Sequence, residues 1–216
     1  MKESPSIDWL LPNKGEENMY RFFYNHEATG DVLFLLLSPN DKADKVVRKD
    51  SVAVLYKGNK LIGVNFFDIG KTMKIHASGM IRTPGEPMLD CVNTLLSNAG
   101  LPTLEPLTDS GYKVMQVTNL EEHPLDSRAV IVTLTDGVNT FHSVYHDPTL
   151  KVNDKVVVAM PGCIAYDGTL IEKTVEKNLP IDVRLCTEKQ LKISDNDGPA
   201  FKANEEKVGS DFFYGE

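Results

Sequence analysis

The stretch Lys155-Val156-Val157-Val158-Ala159-Met160 decides the fold of this chain of 216 residues, because it is a short apolar run of the length of a β-strand. Four further segments with strand character recur around it at a spacing of roughly ten residues. Asp136-Gly137 between two of them is a hairpin signal. Five short strands separated by turn residues predict a partly open, five-stranded barrel. The other four segments are residues 113–118, 128–134, 139–145 and 182–186.

The sequence before residue 108 predicts strands followed by one helix. Residues 32–37 form a continuous apolar run of strand length. Residues 51–56 and 60–67 flank the short turn Lys57-Gly58-Asn59, which predicts a β-hairpin. With the helix that follows, these elements predict an α+β unit over residues 19–107.

The helix is predicted to begin at Thr83-Pro84-Gly85-Glu86. Thr83 is the expected N-cap, proline takes the first helical position, and Glu86 completes a capping box. Gly100 and Pro102 end the helix. We expect its apolar face to pack into a core, and this face comprises Met88, Val92, Leu95, Leu96 and Ala99.

A domain boundary is predicted at residues 101–107, which contain two prolines and have no strong period. Residues 1–18 are expected either to stay loose or to fold over a groove, and a start of translation at Met19 fits equally well. The predicted units are an N-terminal extension at 1–18, an α+β domain at 19–107, a barrel at 108–197 and an acidic polar tail at 198–216.

Nothing in the sequence predicts a membrane span or a disulfide framework. No apolar run approaches the about 18 residues of a transmembrane helix, and the acidic, polar amino terminus is unlike a signal peptide. The three cysteines, Cys91, Cys163 and Cys186, are odd in number and lack metal-type spacing. We therefore expect reduced thiols and a cytoplasmic location.

The charge balance of the predicted barrel argues against strong, sequence-independent binding of nucleic acid. Residues 108–197 contain nine Lys and Arg against fourteen Asp and Glu, a net charge of −5. RNA-binding domains usually present a basic face. A local basic patch remains compatible with this balance.

Three blocks of the barrel region follow one another in the order and spacing of a known domain. The first block is a strand followed by a His123-Pro124 turn. The second is a strand and a loop that lead to the Lys-Val-Val-Val-Ala strand and then to a Pro-Gly pair. The third closes with a Leu-Cys-Thr segment. This order resembles the EMAP or tRNA-binding domain, whose fold is the oligonucleotide-binding (OB) barrel. The blocks lie at residues 112–128, 141–162 and 168–191.

The segment in front of the barrel extends this resemblance. Residues 20–25, 30–33 and 63–67 look like the N-terminal domain of bacterial YtpR-type proteins, which join a small domain of unassigned role to a tRNA-binding barrel. The resemblance implies a YtpR-like domain over residues 19–107 and tRNA or another structured RNA as the partner. Because tRNA-binding barrels of this type are often homodimers, it also implies a homodimer.

The resemblance implies an RNA-binding face made of a charged groove and stacking side chains. Arg128 and Lys177 keep the positive charge of the family residues that they match, so that as phosphate contacts they would add salt-dependent affinity. Tyr145 and His146 replace a Cys-Gly pair. Either they stack on bases, or Tyr145 caps the barrel mouth and His146 is solvated. The candidate RNA-binding residues are Arg128, Tyr145, His146, Thr149, Lys177 and Arg184.

Several departures from the family pattern weaken this expected face. Leu125 and Ser127 replace an asparagine and an aspartate, and Ile181-Asp182-Val183-Arg184 replaces Ser-x-Gly-Met. The carboxylate of Asp182 is expected to repel phosphate. We therefore predict a tRNA- or RNA-binding accessory protein with a weakened binding face. The alternative is a protein- or peptide-interaction module that has kept the barrel and lost RNA binding.

No catalytic, metal or cofactor site is predicted. His142 and His146 would share a strand face at about 13 Å by the rise per residue, too far apart to ligate one small ion. The sequence contains no Gly-x-Ser-x-Gly, Walker or His-Glu-x-x-His pattern. We therefore expect a protein that is not an enzyme, needs no cofactor and has no membrane partner.

Overall fold

The computed structural model describes residues 19–146 and 149–215. Residues 1–18, 147–148 and 216 lie outside the described residues, so the predictions made for the N-terminal extension concern a part of the chain that is not described. The described part is mostly β-structure with few helices. None of its helices is long and apolar enough to cross a membrane.

The first half of the chain forms an antiparallel sheet of six strands. In chain order the strands are β1 Arg21–Asn25, β2 Val32–Leu36, β3 Lys45–Lys49, β4 Val52–Lys57, β5 Lys60–Phe67 and β6 Ser78–Ile81. Across the sheet their order is β3-β4-β5-β2-β1-β6. The hairpin predicted around Lys57-Gly58-Asn59 is confirmed as β4 and β5.

One face of this sheet packs against a single long helix. A one-turn helix, α1 (His26–Thr29), follows β1, and the long helix α2 (Glu86–Asn98) follows β6. The buried side chains of α2 join those of the sheet in one core cluster. The predicted α+β character of this half therefore rests on α2 alone and is not clearly shown.

Helix α2 begins two residues later than the sequence predicted. Its N-cap is Gly85, not Thr83, and Gly85 has extended backbone angles of φ −70° and ψ 159° that leave Pro84 outside the helix. Pro87 is tolerated instead, because amide groups in the first turn have no partner within the helix. The predicted apolar face is nevertheless confirmed, because Val92, Leu96 and Ala99 are buried in the core and Met88 and Leu95 pack against it, and Leu89 adds to this face.

The second half forms a five-stranded sheet, as the sequence predicted. Its strands run in the order β13-β10-β7-β8-β9, and β11 and β12 form a separate hairpin. The turn at Asp136-Gly137 joins β8 to β9, where Asp136 Oδ1 accepts the backbone N–H groups of Val138 and Asn139. In chain order the strands are β7 Tyr112–Glu122, β8 Val130–Thr135, β9 Thr140–Tyr145, β10 Lys155–Ala159, β11 Thr174–Glu176, β12 Leu179–Ile181 and β13 Arg184–Leu185.

The five-stranded sheet closes nearly into a barrel where β9 meets the residues between β12 and β13. Asp182 N donates to His142 O at 2.8 Å, and Ser143 Oγ donates to Val183 O at 2.8 Å. His142 N in turn donates to Asp182 Oδ2 at 3.0 Å. Because these bonds satisfy polar groups on an edge strand, they stabilise the closed form of the sheet.

The chain end packs on the barrel, although the sequence predicted an acidic polar tail there. Ala200 and Ala203 are buried in the two core clusters of the barrel, and Phe201 packs against one of them. Phe201 N donates to Cys186 O, and Gly209 N donates to Val114 O, each at 2.8 Å. Phe212 and Phe213 pack against the same cluster as Phe201, so the aromatic residues of this segment indicate a packed chain end, whereas its acidic and polar residues suggest a tail.

The two halves have separate core clusters and meet at Arg21. Arg21 lies on β1 with only 1% of its surface exposed, and its Nη2 donates to Ser110 O at 2.7 Å. Its guanidinium also lies 5.9 Å from the ring centroid of Tyr112. The division of the chain into domains at residues 101–107 stays a prediction, and any such domains contact each other through this arginine.

The buried carboxylate of Asp211 gives a test of the role of the chain end. Asp211 is 2% exposed and accepts hydrogen bonds from Ser110 N and Oγ and from the backbone N–H groups of Phe213 and Tyr214. Asp211→Ala leaves these donors without partners, so we expect the free energy of unfolding to fall by about 3 kcal/mol in urea denaturation.

The exposed Asp195 is the matched control, and Asp195→Ala should change the free energy of unfolding by less than about 0.5 kcal/mol. Equal stability of the two variants would contradict a structural role for the chain end.

Candidate nucleic-acid interface

The structure places five of the six candidate residues in two groups at one end of the barrel. Arg128, His146 and Lys177 surround the carboxylate of Asp126. Tyr145 and Arg184 line a cleft. Thr149 belongs to neither group, and its carbonyl oxygen accepts a hydrogen bond from Lys202 Nζ at 3.3 Å.

The turn between β7 and β8 fixes the position of Asp126. His123 N donates to Ala129 O at 3.1 Å and Ala129 N donates to Asp126 O at 3.0 Å, which closes the turn. The buried imidazole of His123 accepts the N–H of Leu125 through Nδ1 at 3.1 Å. Asp126 Oδ1 accepts the N–H of Arg128 at 3.1 Å. The carboxylate is therefore held by its own loop.

Three candidate side chains share this one carboxylate. Lys177 Nζ lies 3.1 Å and His146 Nε2 lies 3.6 Å from Asp126 Oδ2, while Arg128 Nε lies 3.5 Å from Oδ1. The hydrogen bonds from the Arg128 backbone and from Lys177 hold the pKa of Asp126 well below its ordinary value. The carboxylate stays ionised at neutral pH and neutralises much of the positive charge that a phosphate would meet.

The adjoining cleft has a volume of about 460 Å³. It lies between β9, the β11-β12 hairpin and β13, and its walls carry both polar and apolar groups. Tyr145 at the end of β9 and Arg184 on β13 line this cleft, and Tyr145 also packs against the barrel core. The other lining residues include Ser143, Thr174, Glu176 and Ile181.

Asp182 has a structural role that the sequence did not suggest. Its carboxylate accepts the N–H of His142 at 3.0 Å and lies 3.5 Å from Lys173 Nζ. Partial burial by itself opposes ionisation, but these contacts and the His142 imidazole outweigh it, so that the pKa of Asp182 lies below its ordinary value. The charge of Asp182 is thus engaged in closing the barrel, which reduces the repulsion expected for a phosphate.

Sequence reasoning missed both Asp126 and the β11-β12 hairpin. The hairpin turns at Lys177-Asn178, where both residues have positive φ, 46° and 70°. Asparagine tolerates this conformation, but lysine at the first position is not a usual turn signal. The contact between Lys177 and Asp126 joins residues 51 positions apart, so no local pattern could have revealed it. The described residues contain no group of three or more His, Cys, Asp or Glu that could hold a metal ion.

Comparison with known protein families found no match. The chain is similar to a Bacillus subtilis protein named "Putative tRNA-binding protein YtpR", with 25% identity over 177 residues that cover 80% of this chain and 88% of that protein. This is a weak relation at the level of the family, and it extends through both halves of the chain.

Shorter similarities connect the chain to two phenylalanine–tRNA ligase beta subunits. The subunit of Leptospira interrogans is 29% identical over 83 residues, which cover 38% of this chain and 10% of the subunit. The subunit of Pseudomonas fluorescens is 28% identical over 128 residues, which cover 57% of this chain and 16% of the subunit. The chain therefore spans only a small part of either ligase subunit.

One solved structure, the MetRS related protein from Pyrococcus horikoshii, matches with a TM-score of 0.35 at 14% identity. The match covers 46% of this chain and 85% of that one. A TM-score this low does not establish a shared fold.

The geometry around Asp126 predicts a measurable effect of Lys177 on its ionisation. Lys177→Met removes the ammonium that stabilises the ionised carboxylate, so the pKa of Asp126 should rise toward its ordinary value of 3.8. The pKa of Asp126 is lower in the folded protein than in the unfolded one. The ionised carboxylate therefore stabilises the folded protein above about pH 4, and this stabilisation is lost as the pH falls through the folded-state pKa. NMR titration of the carboxyl carbon measures the shift.

The exposed Lys74 provides the control, and Lys74→Met should leave the titration of Asp126 unchanged. An unaltered pKa of Asp126 in Lys177→Met would show that the ion pair is absent in solution.

Proposed function

We propose that this chain is an accessory protein that binds tRNA or another structured RNA weakly through the barrel face around Asp126 and the adjoining cleft. The observation that carries the proposal is the similarity to a protein named for tRNA binding over 80% of the chain, including the barrel. Two basic side chains and an aromatic side chain at one end of the barrel fit such a ligand. The protein has no catalytic role in this proposal.

The face is suited to a phosphate beside a base or a ribose. Lys177 and Arg128 supply the charges, and Tyr145 presents a ring to the neighbouring cleft. Arg184 on the opposite wall supplies a further cation for the same strand of RNA.

The weakness of binding follows from competition for the same cations. A phosphate that approaches Lys177 or Arg128 meets the ionised carboxylate of Asp126 at the centre of the group. Either the cations turn away from Asp126 or the phosphate binds beside a negative charge, and both reduce the affinity. Each exposed ion pair contributes little free energy, so Asp126 lowers the affinity of this face for phosphate without preventing binding.

Replacing this carboxylate should strengthen binding of tRNA. Asp126→Asn keeps the oxygen that accepts the Arg128 N–H and removes the negative charge. We expect the affinity for tRNA to rise about threefold to tenfold at low salt, the scale of one or two surface ion pairs. The slope of log affinity against log salt should steepen by about 0.7 to 0.9 for each cation released to a phosphate. Fluorescence anisotropy with labelled tRNA measures both quantities.

Asp90→Asn is the matched control, because Asp90 is exposed on α2 and the variant changes the net charge equally. It should leave the affinity unchanged. If Asp126→Asn and Lys177→Ala both bind tRNA as the wild type does, the barrel face is not the binding site. Failure of the wild type to bind tRNA at low salt would favour the protein- or peptide-interaction module.

A further inference from the structure

The junction between the two halves of the chain contains a buried arginine whose hydrogen bonds are incomplete. Phe22 packs into the same core as α2, so its neighbours Arg21 and Phe23 point to the opposite face of the sheet. The barrel borders this face, because a methyl group on Gly168 would lie 4.0 Å from Phe23. Arg21 Nη2 donates to Ser110 O at 2.7 Å, but Nε and Nη1 of Arg21 have no acceptor among the described residues.

This incompletely bonded guanidinium favours opening of the junction. If the halves moved apart, water would bond to Nε and Nη1 of Arg21, whereas the closed junction removes both groups from solvent without compensation. The ring of Tyr112, whose centroid lies 5.9 Å from the guanidinium carbon, offsets only part of this cost. A further interaction is therefore needed to hold the junction closed.

The chain end supplies a carboxylate on the other side of Ser110. Asp211 Oδ2 accepts Ser110 N at 2.7 Å, and the hydroxyl of Ser110 donates to the same carboxylate at 2.8 Å. Ser110 thus bonds to Arg21 through its carbonyl oxygen and to Asp211 through its N–H and hydroxyl groups. Arg21 and Asp211 are only 1% and 2% exposed, so the attraction between their charges is weakly screened by water.

The segment that carries this carboxylate is attached to the first strand of the barrel. Gly209 N donates to Val114 O, and Phe212 N donates to Tyr112 O, each at 2.8 Å. We call residues 209–215 the terminal strap. Because β7 begins at Tyr112, the terminal strap bonds to the start of the barrel, next to the junction with the first half of the chain.

We propose that the terminal strap is a conformational device that keeps the two halves of the chain together, because it places the negative charge of Asp211 behind Ser110, where that charge stabilises Arg21. The junction is closed while Asp211 is bonded to Ser110. When Asp211 leaves Ser110, the junction opens and water completes the hydrogen bonds of Arg21. This device is independent of the function proposed for the barrel face.

The two charges of this pair depend on each other unequally. Without Arg21, Asp211 still accepts Ser110 N and the N–H groups of the two residues after Phe212, and Lys113 Nζ lies 3.7 Å from its Oδ2. Without Asp211, Arg21 keeps Ser110 O as its one oxygen acceptor among the described residues. Loss of Asp211 should therefore open the junction, whereas loss of Arg21 should leave it closed.

Cys163 is a natural probe of the junction. Its Sγ lies 3.8 Å from Arg21 Nη2 and 3.6 Å from Ser110 O, and its side chain is fully buried. Burial raises the pKa of the Cys163 thiol to about 11, so in the closed junction the thiol is neutral at pH 8 and reacts only after opening. Cys186 is buried in the barrel core and reports unfolding of the barrel.

Labelling of the full chain with iodoacetamide at pH 8, with each cysteine quantified by mass spectrometry of its peptide, tests the proposal. Asp211→Asn should raise the labelling rate of Cys163 about tenfold or more, the ratio that corresponds to one charge-assisted hydrogen bond, and Cys163 should react faster than Cys186. Arg21→Met should label Cys163 no faster than the wild type does. In the Arg21→Met background, the acceleration caused by Asp211→Asn should be much smaller.

Asp154→Asn is the matched control, because it removes a carboxylate that pairs with Lys202 of the chain end, at 2.8 Å, instead of with Ser110. It should label Cys163 as the wild type does. Circular dichroism establishes that each variant is folded. If Asp211→Asn does not fold, Ser110→Ala replaces it, because this milder change removes one donor to Asp211 and should also accelerate labelling of Cys163.

The proposal is overturned if the folded Asp211→Asn variant, or Ser110→Ala in its place, labels Cys163 at the rate of the wild type. It is also overturned if Arg21→Met accelerates labelling as much as Asp211→Asn does, or if Asp211→Asn has the same effect with and without Arg21. Equal labelling rates of Cys163 and Cys186 in Asp211→Asn would identify unfolding of the barrel instead of opening of the junction, and would overturn it too.

Discussion

The closure of the barrel between β9 and the residues before β13 is the constraint on which the candidate site depends. The backbone of His142 and the hydroxyl of Ser143 bond to Asp182 and Val183. Because these bonds hold the β11-β12 hairpin beside the barrel, Lys177 at its turn reaches Asp126. The same closure forms the cleft that contains Tyr145 and Arg184. The carboxylate of Asp182 thus helps to position the candidate site residues.

The strands of the barrel could be predicted because their signals are local. Apolar alternation and turn residues such as Asp136-Gly137 act over a few positions, and the structure has strands at all five predicted segments. The start of α2 was misplaced because Thr83 and Gly85 offer competing caps, and only the backbone angles of Gly85 decide between them. The packed chain end was missed because its acidic and polar residues suggest a tail, whereas its aromatic residues Phe201, Phe212 and Phe213 pack against the core.

The candidate site could be predicted only as a set of separate residues. The resemblance identified Arg128, Lys177 and the end of β9, but not the carboxylate that connects them, because the connection is a contact across the fold. The net charge of the barrel likewise could not show where its charges pair. Ion pairing in the folded chain brings Arg128 and Lys177 together around Asp126, in a barrel whose net charge is negative.

The most direct test of this account is to titrate the isotope-labelled protein with tRNA and to monitor its backbone amide signals by NMR. The account predicts that the largest shifts fall on the His123–Ala129 turn, the end of β9 and the β11-β12 hairpin, and that they vanish at high salt. Binding of tRNA that leaves all three of these segments unperturbed would contradict it.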